Sequence, residues 1–166
     1  MLQSLRTLLA VAIIASPPLP LHKPGAEPSA IQKQAEAELL TLHKEERKAH
    51  FDHNITFLVS HVAPHMLDVR DGRVNRVSPD SVREKFVQYF KNSHFSAWDD
   101  VEPPVVHVSA DGTVAWMILH VRIAYATTDS SGKTTNEDTE GAWMSTYEKQ
   151  NGTWIMTAVT STFSAN

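Results

Sequence analysis

From Val114 to Tyr125 the chain alternates between two kinds of position. Ala115, Met117, Leu119, Val121, Ile123 and Tyr125 fall on one side, and Trp116, Ile118, His120 and Arg122 on the other. A period of two predicts a strand, and the first set predicts the side that meets a core. PVVHVS, GAWMSTYEKQ and TWIMTAVTSTFS are also rich in β-branched and aromatic residues, and Asp111-Gly112, Ser131-Gly132 and Asn151-Gly152 separate the strands. Earlier in the chain the period is helical. Along AIQKQAEAELLTLHKEERKAHFDH, residues Ala35, Leu39, Leu42, Glu46, His50 and His53 share one side, apolar at first and ionisable later. Ser29 and Gln32 supply a capping box for this helix. Asn54 reads as the N-cap of a short helix, ITFLVSHVA, that Pro64 ends. MLDVRDGRVNRVS reads as a hairpin turning at Asp71-Gly72, and SPDSVREKFVQYFKNS as a third helix with a stripe of Val82, Phe86, Tyr89 and Phe90. Helices first and long antiparallel strands afterwards predict an α+β fold, with the helices packed on one face of a curved, mainly antiparallel sheet.

Composition narrows the setting. The 166 residues are 42% hydrophobic, enough for a single core and one domain. The opening MLQSLRTLLAVAIIASPPLP has a cation at Arg6, an apolar run from Leu8 to Ala15 and a proline break, the layout of a secretory signal over residues 1–16. The run is too short to span a bilayer. Five prolines in residues 17–28 read as a tether, which leaves residues 29–166 as the domain. The expected product is exported, to the periplasm or beyond, and is soluble with no membrane insertion after signal cleavage. The chain has no cysteine, which removes disulfides, a thiol nucleophile, a cysteine lipid anchor and cysteine-ligated zinc. The formal charge is −4, and it becomes −6 once residues 1–25, with Arg6 and Lys23, are set aside. Such a domain repels phosphate backbones, so nucleic acid is not an expected partner.

The helix order, the DVRDG hairpin, WDDVEPPVVHVSADGTVAW and the closing GAWMSTYEKQNGTWIMTAVTST together resemble the nuclear transport factor 2-like superfamily, in its SnoaL-like branch, over residues 30 to 163. The resemblance implies a cone-shaped fold that hosts isomerases, dehydratases, cyclases and non-catalytic binding or dimerising domains. In catalytic members, acids and histidines project into the cone from the first helix and the inner sheet face. Here the last strand reads TAVTST where many relatives carry histidine or aspartate, which favours binding over catalysis.

Several groups compete for a chemical role. Asp99 and Asp100 are neighbours, and an extended chain sends them to opposite sides, so a shared proton or chelated ion is not expected. Trp98 is expected to pack under the sheet, with the acids and Pro103-Pro104 holding a connection open to solvent. Glu46, His50 and His53 share a helix face, and His50 is the candidate general base of an enzyme of isomerase or dehydratase type, with Arg122 or Tyr125 stabilising an enolate. The blander alternative is a wet helix end with a Glu46–His50 contact. The spacing is not that of a zinc protease, and neither metal nor cofactor is expected. Trp116, Ile118, His120 and Arg122, with Trp143, Ser145 and Tyr147 placed on the same side in the next strand, either line a pocket or form the face where two copies pair; the homodimer is preferred. Met117, Leu119, Met144 and Met156 are expected to line the interior. The leading reading is a non-catalytic or weakly catalytic domain enclosing a small apolar or aromatic molecule, with His53, Trp98, Trp116, His120, Arg122, Tyr125, Trp143 and Tyr147 as ligand-binding candidates. A purely structural dimer or adaptor is the remaining alternative.

Overall fold

The computed structural model describes residues 27–164, so the expected signal and all but the last two residues of the tether lie outside the described residues. Helix α1, Ala30–Phe51, opens on Ser29, whose hydroxyl accepts from the Gln32 N–H while the Gln32 side chain accepts from the Ser29 N–H. Helix α2, Ile55–Ser60, is capped by Asn54, and helix α3, Pro79–Phe90, by Ser78 with Pro79 in its first turn. The strands are β1 Val62–Arg70, β2 Arg73–Val77, β3 Ser93–Asp100, β4 Val105–Val108, β5 Val114–Thr128, β6 Thr134–Gln150 and β7 Thr153–Phe163. They form one curved, unclosed sheet in the order β2-β1-β7-β6-β5-β3, with β4 beside β3 on the same edge of β5.

The β1–β2 hairpin turns at Asp71 and Gly72, both at positive φ, as the DG signal predicts. Three elements differ from the sequence reading. Helix α2 ends at Ser60, and Pro64 lies inside β1, where the register against β7 shifts between Val62 and Leu67. A proline without an N–H is tolerated in a strand at such an irregularity. SHFSAWDD is a full strand rather than a connection, and α3 stops at Phe90 to make room for it. The β1–β7 pair is parallel, so the sheet is mixed.

The alternation in β5 holds, with Ala115, Met117, Leu119, Val121 and Ile123 buried under α1 beside Leu39 and Leu42. The placement in β6 is corrected. Trp143, Ser145 and Tyr147 stand opposite Leu119, Met117 and Ala115, so they share the inner, concave face, and Tyr147 is 1% exposed. Met144 stands opposite Ile118 on the outer face instead of lining the interior. The cause is the loop. Asp129 pairs with Lys133 around Ser130-Ser131-Gly132, a three-residue connection closed by Gly132 at positive φ, and not the two-residue Ser131-Gly132 turn. One residue of difference moves every β6 side chain to the opposite face.

Trp98 is buried as expected, but the two acids after it do more than keep a connection open. Asp99 pairs with Arg47, and Asp100 accepts from the Nε2–H of buried His43 at 2.8 Å, so both fasten β3 to α1. Glu38 does the same for the far strands, accepting from Lys149 Nζ at 2.5 Å and Trp154 Nε1 at 3.0 Å. The Lys149 bond is the main reason its carboxyl is held below the ordinary range.

Candidate functional site

With α1 held over the sheet by these clamps, and α3 closing the side, a cavity of about 640 Å³ remains between the helices and the concave face. Its wall mixes aliphatic side chains with aromatic rings, among them Phe86 and Tyr89 of α3, Trp98 of β3, Tyr125 of β5 and Trp143 of β6. Leu119, Ile123, Met66 and Met156 fill the spaces between the rings.

Polar groups enter this apolar space at two levels. Glu46 and His50, one turn apart on α1, are half-buried and border it. The His50 ring stacks on Trp98 at 3.9 Å and meets the edges of Phe86 and Phe90 at 5.7 and 5.8 Å. Its Nδ1–H donates to the Glu46 backbone carbonyl at 2.8 Å, which leaves Nε2 as an acceptor. The expected contact between the two side chains is therefore made through the main chain. Burial disfavours charge on both groups. It pushes the Glu46 carboxyl up to about 7 and the His50 imidazole down to about 4. Burial also raises the Tyr147 phenol well above its ordinary value, and the nearby Glu46 charge adds to the shift. The fully buried Ser145 hydroxyl borders the cavity with no hydrogen-bond partner among the described residues. At the second level, Arg70 and Lys85, about half open to solvent, mark the opening with Glu137, over a buried Asp68.

The sequence candidates separate into three groups. His50, Trp98, Tyr125 and Trp143 all border the cavity. Tyr147 is packed in the core beside Glu46, and His53, at φ 52° just past the end of α1, stacks on Phe90 at 4.7 Å outside the cavity wall. Trp116, His120 and Arg122 lie on the convex face. There Trp116 stacks on His107 at 5.3 Å, His120 sits 3.2 Å from Glu140, and Arg122 forks onto Asp138 at 2.8 and 2.5 Å. Arg122 therefore cannot act on anything that His50 reaches, and of the two proposed enolate partners only Tyr125 borders the cavity. His43, Asp68, Arg70 and Lys85 escape the sequence reading. The i,i+3,i+7 spacing of His43, Glu46 and His50 and the i,i+2 spacing of Asp68 and Arg70 were the available signals. Among the described residues no group of three His, Asp or Glu side chains is arranged to hold a metal ion, and no helix is long and apolar enough to cross a membrane.

No family model matches the sequence, and no curated protein matches it. Solved structures do match. A nuclear transport factor 2-like superfamily protein from Salmonella enterica serovar Typhimurium superposes with a TM-score of 0.64 at 16% identity, covering 81% of this chain and 94% of its own. A nuclear transport factor 2-like protein from Cytophaga hutchinsonii gives 0.61 at 12% identity, over 76% of this chain and 96% of its own. The association domain of C. elegans CaMKII gives 0.55 at 12% identity, over 79% and 97%. At these identities the likeness speaks for the fold alone. Helices packed on a curved, unclosed sheet are the shared architecture, and the chain has the nuclear transport factor 2-like fold that its sequence resembles.

Proposed function

We propose that this domain, of the SnoaL-like branch and exported through residues 1–16, binds a small, largely apolar ring-bearing molecule in its cone and pairs with a second copy through its convex face. One observation carries the binding role. A cavity of about 640 Å³ lined by aliphatic and aromatic side chains carries a carboxyl kept largely from charging and a neutral imidazole on its wall, a combination that suits flat apolar rings bearing one hydrogen-bonding group. The purified protein, incubated with a metabolite mixture and analysed by native mass spectrometry, is expected to retain one small molecule per chain and lose it on Trp98→Ala. Failure of any compound to remain bound, together with unchanged tryptophan fluorescence, would sink the reading.

A second reading has its own support. A carboxyl titrating near 7 inside an apolar site is matched to proton transfer at neutral pH, so in an isomerase- or dehydratase-type reaction Glu46 is the better base and His50, with Nε2 open, the hydrogen-bonding partner. Incubation of the retained compound in heavy water decides between the two. Deuterium uptake by the wild type that vanishes in Glu46→Gln supports catalysis, and no uptake leaves binding alone.

Pairing rests on the outer sheet face, where Val105, Ile118 and Met144 are 53%, 39% and 39% exposed around Trp116. An apolar patch of this sort needs a cover, and an isologous second copy is the simplest one. The likeness to a domain named for association is compatible with this.

A further inference from the structure

We infer that Arg70 and Lys85 form a carboxylate subsite at the cone opening, so that the ligand is an amphipathic monocarboxylic acid whose rings fill the cone. The inference rests on the binding role proposed above and adds the charge of the ligand. Asp68 is an almost wholly buried acid that accepts from Arg70 Nε at 2.9 Å, while Lys85 Nζ stands 3.8 Å from its other oxygen. Two cations thus serve one acid, so Asp68 alone does not occupy both, and the other acid lining the opening, Glu137, is paired with neither. The terminal guanidinium nitrogens of Arg70 donate to no other group among the described residues. That is the edge of the guanidinium that takes a carboxylate in two parallel bonds. Arg70 and Lys85 side chains are 48% and 63% exposed and still border the cavity, which puts them at its opening.

The rest of the cavity directs an anion to the same place. On the α1 side it offers Glu46 and a His50 with no positive charge to give at neutral pH, so a carboxylate there would be desolvated without a counter-ion. Across the opening, Glu137 repels an anion from the β6 side, and Arg47 is already engaged by Asp99. A ligand carrying one carboxylate therefore has one favourable orientation, charge outward against β1 and α3, rings inward against the Trp98–Trp143 pair. Any hydroxyl or carbonyl at its far end would meet Glu46 and the free His50 nitrogen.

Two matched probes test this, 2-naphthoic acid and its methyl ester, each titrated into the full chain at low salt and followed by tryptophan fluorescence. The acid is expected to bind about 10-fold tighter than the ester, the range of one charge-assisted pair, with the difference shrinking as salt is added. Arg70→Gln and Lys85→Gln should each cut that preference at least about threefold while leaving the ester's affinity unchanged. Lys85 is exposed and contributes little to packing, so its variant remains informative if Arg70→Gln disturbs the buried Asp68. Equal binding of acid and ester by the wild type, or a preference that survives Lys85→Gln, overturns the inference while leaving the cone as a binding site. Binding of neither probe removes the binding role as well.

Discussion

Strand β5 serves two regions that could hardly differ more, although their residues alternate one by one along the same backbone. On its concave side Met117, Leu119 and Val121 are all but inaccessible, and the face continues into a cavity bordered by two titratable groups, Glu46 and His50. On its convex side Ile118 stays open to solvent, and the polar groups, His120 and Arg122, are partnered by Glu140 and Asp138 from the facing strand. Buried, partly unpaired polarity is expensive and persists where a ligand or a reaction uses it, whereas exposed apolar surface with paired charge around it is the composition of a contact face. On the proposed reading, binding and pairing would lie on opposite faces of one sheet.

The largest expected effect lies on the concave side. Trp98→Ala removes a buried wall and the stacking partner of His50, and is expected to cost about 3–5 kcal/mol of stability in urea unfolding. A loss below about 1 kcal/mol would mean that the cone wall is not part of the core.

Next comes the pH dependence of stability, where the two buried groups oppose one another. Glu46 titrates near 7 in the fold against an ordinary 4.5, so its contribution is full below about 4.5 and is lost as pH rises to 7. His50 titrates near 4 against an ordinary 6.5, so its contribution is full above 6.5 and is lost as pH falls to 4. Each amounts to about 3 kcal/mol across its window, and between 4.5 and 6.5 they cancel. Glu46→Gln should therefore unmask a rise in stability of roughly 1.4 kcal/mol per pH unit through that interval, and His50→Gln a fall of similar size. Parallel profiles for the wild type and both variants would show that neither group is shielded from water.

A third prediction crosses the sheet. Ile118→Glu is expected to halve the mass seen by light scattering and shift stability by no more than about 0.5 kcal/mol, because its side chain points out. Trp143→Glu, one strand away on the inner face, should instead destabilise the fold and abolish ligand binding. A reversal of the two outcomes would exchange the roles of the faces. The smallest effect is expected from Arg122→Ala. Its fork to Asp138 lies in open solvent, and thermal unfolding should not register its loss.

What the sequence disclosed follows from which forces act locally. Capping at Ser29, Asn54 and Ser78, the Asp71-Gly72 turn and the two faces of β5 depend on neighbours a few residues away, and all of them were legible. The faces of β6 were not, because they hinge on whether Ser130 belongs to the strand or the loop, and both arrangements use Gly132 equally well. Glu46 and His50 could be placed on one helix face from spacing alone, but not the neutral state of His50, which depends on Trp98, Phe86 and Phe90 closing around it from distant segments. The Asp68–Lys85 contact likewise joins β1 to α3, and no spacing along the chain announces it. Strand β3 was hidden by its own composition, since its two acids read as solvent-seeking until the partners Arg47 and His43 are known.

The parallel pairing of β1 with β7 also has a consequence in time. It joins Val62 to Met156 and Leu67 to Ala158, a closure of about 90 residues, whereas β5, β6 and β7 meet through short hairpins. Long closures are slow because chain entropy is lost before the contacts that repay it are made. The hairpin ladder is therefore expected to assemble first, and β1 to dock last, carrying with it Met66, Asp68 and Arg70. On that order the β5–β7 ladder and its outer face would form before the cone is enclosed, and any capacity to hold a ligand would come last.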